Sequence, residues 1–159
     1  MKYLVPRLRV SPKSSSAELW ITDTDGARVM RIEVAPDDRE YVVIILDTDG
    51  DVAAIVSTRR HLGGTVAEVG SEGRTFARLA RPRKGAGAVS VRTATGDYDI
   101  AGDFAAWDFS VLLNASPVAD VVPRKTGDNT YLIEISDHED QAPLLATVLA
   151  VDLLVQAAG

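Results

Sequence analysis

The chain has 159 residues, of which 46% are apolar and 25% charged, the balance of one globular domain spanning residues 1–159. It contains no cysteine, which excludes disulfide scaffolds, thiol catalysis and cysteine-ligated zinc. The formal net charge of −6 disfavours binding of nucleic acid over the whole surface.

Short apolar runs separated by turn residues dominate the chain up to residue 135. Two Asp-Thr-Asp-Gly segments, 23–26 and 47–50, predict tight hairpin turns, because such turns need the positive φ that glycine readily adopts. The spacing of the runs is typical of sandwiches and barrels. Twelve strands are predicted, at 3–10, 19–21, 29–34, 41–46, 52–56, 65–69, 76–80, 89–92, 98–100, 107–111, 118–122 and 131–135.

One helix is predicted, and it comes last. Acidic residues at 137–140 offer N-cap oxygens, and Pro143 falls in the first turn, where proline is tolerated. The following residues are apolar all around the helical axis, which is typical of a helix in a core or a membrane. The segment 143–158 would be about 24 Å long, shorter than a hydrocarbon core of about 30 Å. It also carries Asp152, so a helix surrounded by strands is favoured and no transmembrane segment is expected.

Several stretches together resemble a known family. They are residues 1–5, the hairpin at 45–53, the segments 100–104, 107–111 and 117–121, and the strand 131–135 leading into the apolar helix. In this order of elements the chain resembles the LURP-one-related family, which shares the tubby C-terminal-like superfamily with tubby domains and phospholipid scramblases. The resemblance is strongest to small bacterial single-domain members, and the excess of Arg over Lys is typical of a GC-rich bacterial source.

The resemblance implies both a fold and a class of function. The fold is a closed antiparallel barrel of about twelve strands around a buried C-terminal helix. The function is that of a binding or scaffold module and not of an enzyme, with no cofactor. Tubby domains bind phosphoinositide headgroups through a basic surface, but their lipid-binding pattern has no residue-by-residue match here.

A basic zone lies in the middle of the chain. Residues 57–92 hold eight basic and two acidic side chains, a local charge of +6 within an acidic protein. Such a zone could attract an anionic lipid headgroup or a protein partner. The alternative is an ordinary solvated face. The candidate anion-binding residues are Arg59, Arg60, Arg81, Arg83 and Lys84.

Acidic groups and catalytic motifs give weaker signals. An EF-hand loop needs glycine at its sixth position and glutamate at its twelfth, and neither Asp-Thr-Asp-Gly segment is followed by these residues. The hairpin interpretation is therefore preferred to a calcium site. Asp97, Asp99, Asp103 and Asp108 could bind a cation, or could simply lie on an outward strand face. The sequence has no nucleophile elbow, phosphate-binding loop or histidine pair with metal-ligand spacing, so no catalytic or metal residue is predicted.

Asp152 and Gln156 are the polar residues of the predicted helix. They lie one turn apart, on one face, in an otherwise apolar segment. A buried carboxylate needs partners, so a structural hydrogen bond to a barrel residue is favoured over a ligand role.

Two functional hypotheses follow from the sequence. The first is a cytoplasmic, membrane-peripheral binding or scaffold protein that does not bind nucleic acid. The second is a small-ligand carrier or enzyme that uses a pocket at a barrel mouth.

Overall fold

Twelve strands and one helix form in the described part of the chain. The computed structural model describes residues 1–8, 18–37, 40–61, 64–82, 90–93, 98–104, 106–123 and 129–157. The strand number matches the twelve apolar runs of the sequence. The elements are β1 (Lys2–Pro6), β2 (Glu18–Thr22), β3 (Arg28–Asp37), β4 (Glu40–Leu46), β5 (Val52–His61), β6 (Gly64–Ser71), β7 (Arg74–Pro82), β8 (Ser90–Thr93), β9 (Tyr98–Asp103), β10 (Asp108–Leu113), β11 (Ser116–Pro123), β12 (Thr130–Ile135) and α1 (Gln141–Ala157).

All the strands belong to one antiparallel sheet, in the order β8-β7-β6-β5-β4-β3-β2-β1-β12-β11-β10-β9. Neighbours in the sheet are neighbours in sequence except at β1 and β12, which pair along five residues of each strand. The end strands β8 and β9 bring Cα atoms within 8 Å of each other. The described strand pairing does not join β8 to β9.

The helix α1 is buried on every side. From Leu144 to Leu154 no residue exposes more than 3% of its surface. The helix packs on β5, β6 and β7 and also approaches β12 from the distant half of the sheet order. Because a flat sheet covers only one face of a helix, this single sheet must curve around α1.

The two Asp-Thr-Asp-Gly segments form closely similar hairpin turns. In each turn the first aspartate, Asp23 or Asp47, accepts the backbone N–H groups two and four residues later, at 2.9 to 3.0 Å. Gly26 and Gly50 have φ angles of 89° and 85°, the left-handed conformation that the sequence predicted for these glycines. The carboxylates therefore have a backbone role in the turns.

A third glycine is constrained by crowding as well as by its dihedral angle. Gly102 lies opposite Phe109 in the β9–β10 pair and has a φ of 139°. A Cβ atom there would lie 2.5 Å from the Asp108 carbonyl oxygen and 2.6 Å from the Cα of Phe109. Both atoms belong to the backbone, so they cannot move aside as a flexible side chain could.

We expect Gly102→Ala to destabilise the protein much more than Gly26→Ala. Both glycines have positive φ, so each substitution costs about 1–2 kcal/mol of conformational energy. A Cβ at Gly26 meets nothing within 4 Å, whereas one at Gly102 overlaps backbone, which adds about 1–3 kcal/mol. Urea unfolding of the two variants measures the difference. Equal losses would show that the crowding at Gly102 is relieved without cost.

Candidate functional site

Three of the four sequence-predicted arginines lie at one end of three neighbouring strands. Arg59 and Arg60 are exposed near the end of β5, and Arg81 is half-buried next to the end of β7. Thr65, near the start of β6, pairs with Arg60 on one side and with Arg81 on the other. We call Arg59, Arg60 and Arg81 the basic rim. Arg83 and Lys84 follow β7 in sequence and lie outside the described residues.

The register decides which rim residues face the helix. Thr58, Ala67 and Leu79 are paired with one another and buried. Each lies on its strand two positions from Arg60, Thr65 or Arg81, on the side away from that end of the sheet. Side chains alternate along a strand, so Arg60, Thr65 and Arg81 lie on the same face of the sheet as this buried row. Arg59 pairs with Val66 on the opposite face. The basic rim is therefore divided between the two faces of the sheet.

Arg81 binds the end of the helix. Its Nη1 atom donates to the carbonyl oxygens of Leu154 and Val155, both at 3.3 Å. Carbonyls in the last turn of a helix lack intrahelical partners and carry partial negative charge, so a guanidinium group stabilises them. Arg81 thus has a structural role in addition to its predicted role in anion binding.

Other basic residues of the zone 57–92 lie away from the basic rim. Arg78, on the outer face, forms an ion pair with Glu68 on β6, with Nε at 3.0 Å from the carboxylate. Arg74 is exposed at the opposite end of β7. The charge of the zone is therefore spread over both ends of these strands, and part of it is locally neutralised.

Asp152 and Gln156 connect the helix to the chain just after β1. Asp152 is fully buried, and its Oδ2 accepts the backbone N–H of Leu8 at 2.8 Å. The Nε2 of Gln156 donates to Asp152 Oδ1 at 2.7 Å and to the Leu8 carbonyl oxygen at 2.6 Å. Burial raises the pKa of Asp152, although the bonds from Gln156 and Leu8 and the charge of Arg7 partly oppose that effect.

An aromatic stack that no sequence pattern had indicated lies beside this network. The Arg7 guanidinium carbon lies 4.5 Å from the centre of the Trp107 ring, and Trp107 stacks on Tyr131 with ring centres 4.9 Å apart. The Tyr131 hydroxyl is buried and has no hydrogen-bond partner among the described residues. Burial, followed by the charge of Asp152, raises its pKa well above the usual range. Trp107 has a φ of 56°, unusual for a bulky residue.

The acidic candidates have local backbone partners. Carboxylate atoms of Asp47, Asp49 and Asp51 lie within 4.8 Å of one another, in the second hairpin turn described above. Asp103 accepts the Ala106 N–H at 3.1 Å. These contacts are those of turns, and they need no ligand to explain them.

Three of the four aspartates at 97, 99, 103 and 108 lie in described strands, where the predicted outward strand face can be examined. Asp99 is exposed and lies on the face opposite to buried Tyr98. Asp103 pairs with Asp108 across β9 and β10. Asp97 lies outside the described residues.

Comparisons with known proteins agree with this architecture. A model of the LURP-one-related family matches residues 7–152. The X-ray structure of a protein from Arabidopsis thaliana is similar to the chain, with a TM-score of 0.66 and 17% identity over 97% of this chain and 91% of that one. At that identity the similarity establishes the fold alone. Comparison with curated proteins gives no match. No helix in the described residues is long and apolar enough to cross a membrane.

We expect Asp152→Asn to change how stability depends on pH. Because the folded-state pKa of Asp152 is raised above its usual value of 3.8, the folded protein holds this proton more tightly than the unfolded chain does. The contribution of Asp152 to the free energy of unfolding is therefore greatest below about pH 3.8 and falls as the pH rises through the folded-state pKa. The asparagine variant lacks this fall.

Urea unfolding across that pH range measures the effect as the difference between wild type and variant. Thr147→Val is the matched control, because Thr147 is also a buried polar residue of α1 but does not titrate. Its offset from wild type should be the same at every pH. A similarly constant offset for Asp152→Asn would contradict the role of the buried charge.

Proposed function

Because the chain belongs to the LURP-one-related family, we propose that it is a non-enzymatic binding module that recognises an anionic lipid headgroup through its basic rim. On this proposal the protein is cytoplasmic and associates with the membrane surface peripherally. Attraction between the rim and the lipid is electrostatic, worth about 1 kcal/mol for each basic residue near an anionic surface.

The observation that carries the proposal is the convergence of separate sequence segments. Arg59 and Arg60 precede the β5–β6 turn, whereas Arg81 comes at the far end of the following hairpin. The antiparallel register brings these positions to the same end of the sheet. Arg83 and Lys84 follow Arg81 in sequence by two and three residues, so this stretch of the chain holds two more positive charges.

We also propose that the sheet closes into a barrel through β8 and β9. The all-round burial of α1 supports closure, because an open gap along the sheet would expose one side of the helix. The approach of β8 and β9 to within 8 Å is consistent with this geometry. A closed barrel would give the basic rim a rigid support and remove the exposed strand edges.

The filled interior argues for recognition at the surface. Side chains of α1 from Leu144 to Leu154 occupy the space that the sheet encloses, and they are almost entirely apolar. A small-ligand carrier or an enzyme would instead need a concave pocket with converging polar groups. The rim presents its charges outside this packed core, where a headgroup on a broad surface can reach them.

Binding to vesicles tests the proposal. We expect the wild type to cosediment with phosphatidylcholine vesicles that contain phosphatidic acid, and to be released by salt, because the attraction between exposed charges is screened. A variant with Arg59, Arg60, Arg83 and Lys84 all changed to Gln should bind about a thousandfold more weakly, at about 1 kcal/mol for each of the four lost charges. Arg81 is left unchanged because it caps the helix.

The matched control is Arg74→Gln, which removes an exposed arginine from the opposite end of β7. It should bind nearly as tightly as wild type. Vesicle binding that is absent, or that resists salt, contradicts the proposal. A further outcome is binding that is sensitive to salt yet weakened by Arg74→Gln as much, for each lost charge, as by the fourfold variant. That result would mean that net charge, and not the basic rim, determines binding.

A further inference from the structure

We propose that Arg60, Thr65 and Arg81 form a binding site for a phosphate monoester at the end of the sheet beside the helix C-terminus. The inference rests on the proposed function and deepens it, since it names three residues and one ligand chemistry within the basic surface. It also assigns a role to Thr65, which carries no charge and was not a candidate from the sequence.

The strand register holds these three side chains in one row. Arg60 pairs with Thr65, and Thr65 pairs with Arg81, so the residues occupy equivalent positions on β5, β6 and β7. Neighbouring strands lie about 5 Å apart, which puts the two arginine backbones about 10 Å apart with the threonine between them. Arginine side chains are long enough for both guanidinium groups to reach a ligand seated over Thr65.

The row faces the helix but lies beyond the packed core. The buried residues Thr58, Ala67 and Leu79 lie on the same face, each two positions along its strand from the row and away from that end of the sheet. Thr65 and Arg81 are half-buried, and Arg60 is exposed. The site is thus partly shielded from water, which strengthens its electrostatics, and it remains open to a ligand.

Donor groups remain available in the row. Arg60 has no hydrogen bond or ion pair with any described residue. Arg81 uses Nη1 for the carbonyls of Leu154 and Val155, and its Nε and Nη2 make no hydrogen bond to a described residue. The contact with the helix fixes the guanidinium group, so less side-chain entropy is lost when a ligand binds to the remaining edge.

The neighbouring negative groups have their own partners. The last helical carbonyls would repel an anion, but Arg81 lies against two of them and offsets their partial charge. The carboxylate of Asp152 is bonded to Leu8 and Gln156. These two groups therefore take little of the positive potential of the row away from a ligand.

A phosphate monoester matches the number and kind of donors. It carries a charge of about −1.5 to −2 at pH 7 and three acceptor oxygens. Two guanidinium groups and one hydroxyl supply three donor groups around such an anion, and arginine pairs with phosphate in planar, bidentate geometry. A phosphodiester or a carboxylate offers two terminal oxygens and one charge, so it leaves part of the row unused.

Arg59 provides an internal comparison, because it is next to Arg60 in sequence but on the opposite face of β5. Both arginines are exposed, and each substitution by Gln removes one charge at nearly the same place along the strand. A built site responds more strongly to the loss of Arg60. Because Arg59 has an interaction of its own, Thr65→Val, which removes no charge, separates a built site from a diffuse electrostatic surface.

The test measures affinity for three probes: vesicles with phosphatidic acid, vesicles with phosphatidylserine at equal charge density, and free glycerol 3-phosphate. We expect wild type to prefer phosphatidic acid, whose headgroup is a monoester. Arg60→Gln should lower that affinity roughly tenfold or more, because it removes a charge-assisted hydrogen bond. Arg59→Gln should lower it by about fivefold or less, the loss expected for one charge near an anionic surface but outside the site. Arg60→Lys should recover only part of the loss, since it restores charge without the planar fork.

Thr65→Val removes the hydroxyl with little change of shape and leaves the helix cap intact, so it tests the row without relying on a variant of Arg81. It should weaken phosphatidic acid binding several-fold while the midpoint of thermal unfolding stays close to that of wild type.

Equal losses for Arg59→Gln and Arg60→Gln, or equal affinity for the two kinds of vesicle, would overturn the site and leave the proposed function standing. Binding of glycerol 3-phosphate that depends on Arg60, without binding to any vesicle, would support the site and overturn the membrane proposal. Failure to bind all three probes overturns both.

Discussion

A helix that is apolar on every side dictates the shape of this protein. With a single sheet available to cover α1, the strands must wrap around it, and each must present buried side chains at alternate positions. The wrapping is uneven. On β5, β6 and β7 the buried inward positions include Ala54, Ala67 and Ala77, whose small side chains let the helix approach these strands closely. Larger residues such as Ile133 and Tyr131 fill the space on other strands.

Polar contacts then decide where the helix lies. Hydrophobic burial is non-directional, so a uniformly apolar helix has little reason to prefer one rotation or depth. Asp152 and Gln156 supply that preference through their bonds to Leu8, and Arg81 supplies it at the last turn. Burial raises the pKa of Asp152, so the ionised carboxylate is less favourable, relative to its protonated form, in the folded protein than in the unfolded chain. We interpret the network as a determinant of position and not as a source of net stability.

The sequence predicts local structure well here because strands and turns depend on nearby residues. The apolar runs, the Asp-Gly turns and the terminal helix all follow from alternation and turn chemistry. Trp107 shows the limit: the apolar alternation predicts it inside a strand, yet its left-handed backbone places it before β10. Its contacts with Arg7 and Tyr131 join distant segments, and no local pattern encodes them. The same holds for the row at Thr65, which exists only once the strand register is known.

The helix also contributes partial charge to the end of the sheet where the basic rim lies. Its C-terminal end meets Arg81 and the rest of the basic rim, which is the sign that complements the helix dipole. Near the other end an open cavity of about 200 Å³ is lined by Asp120, Glu134 and Asp137, among other residues. The rim end is not purely basic, because β3 and β9 end there at Asp37 and Asp103, and β4 and β10 begin there at Glu40 and Asp108. The attraction of an anion to the rim therefore depends on the local placement of its arginines and not on a separation of charge between the two ends of the sheet.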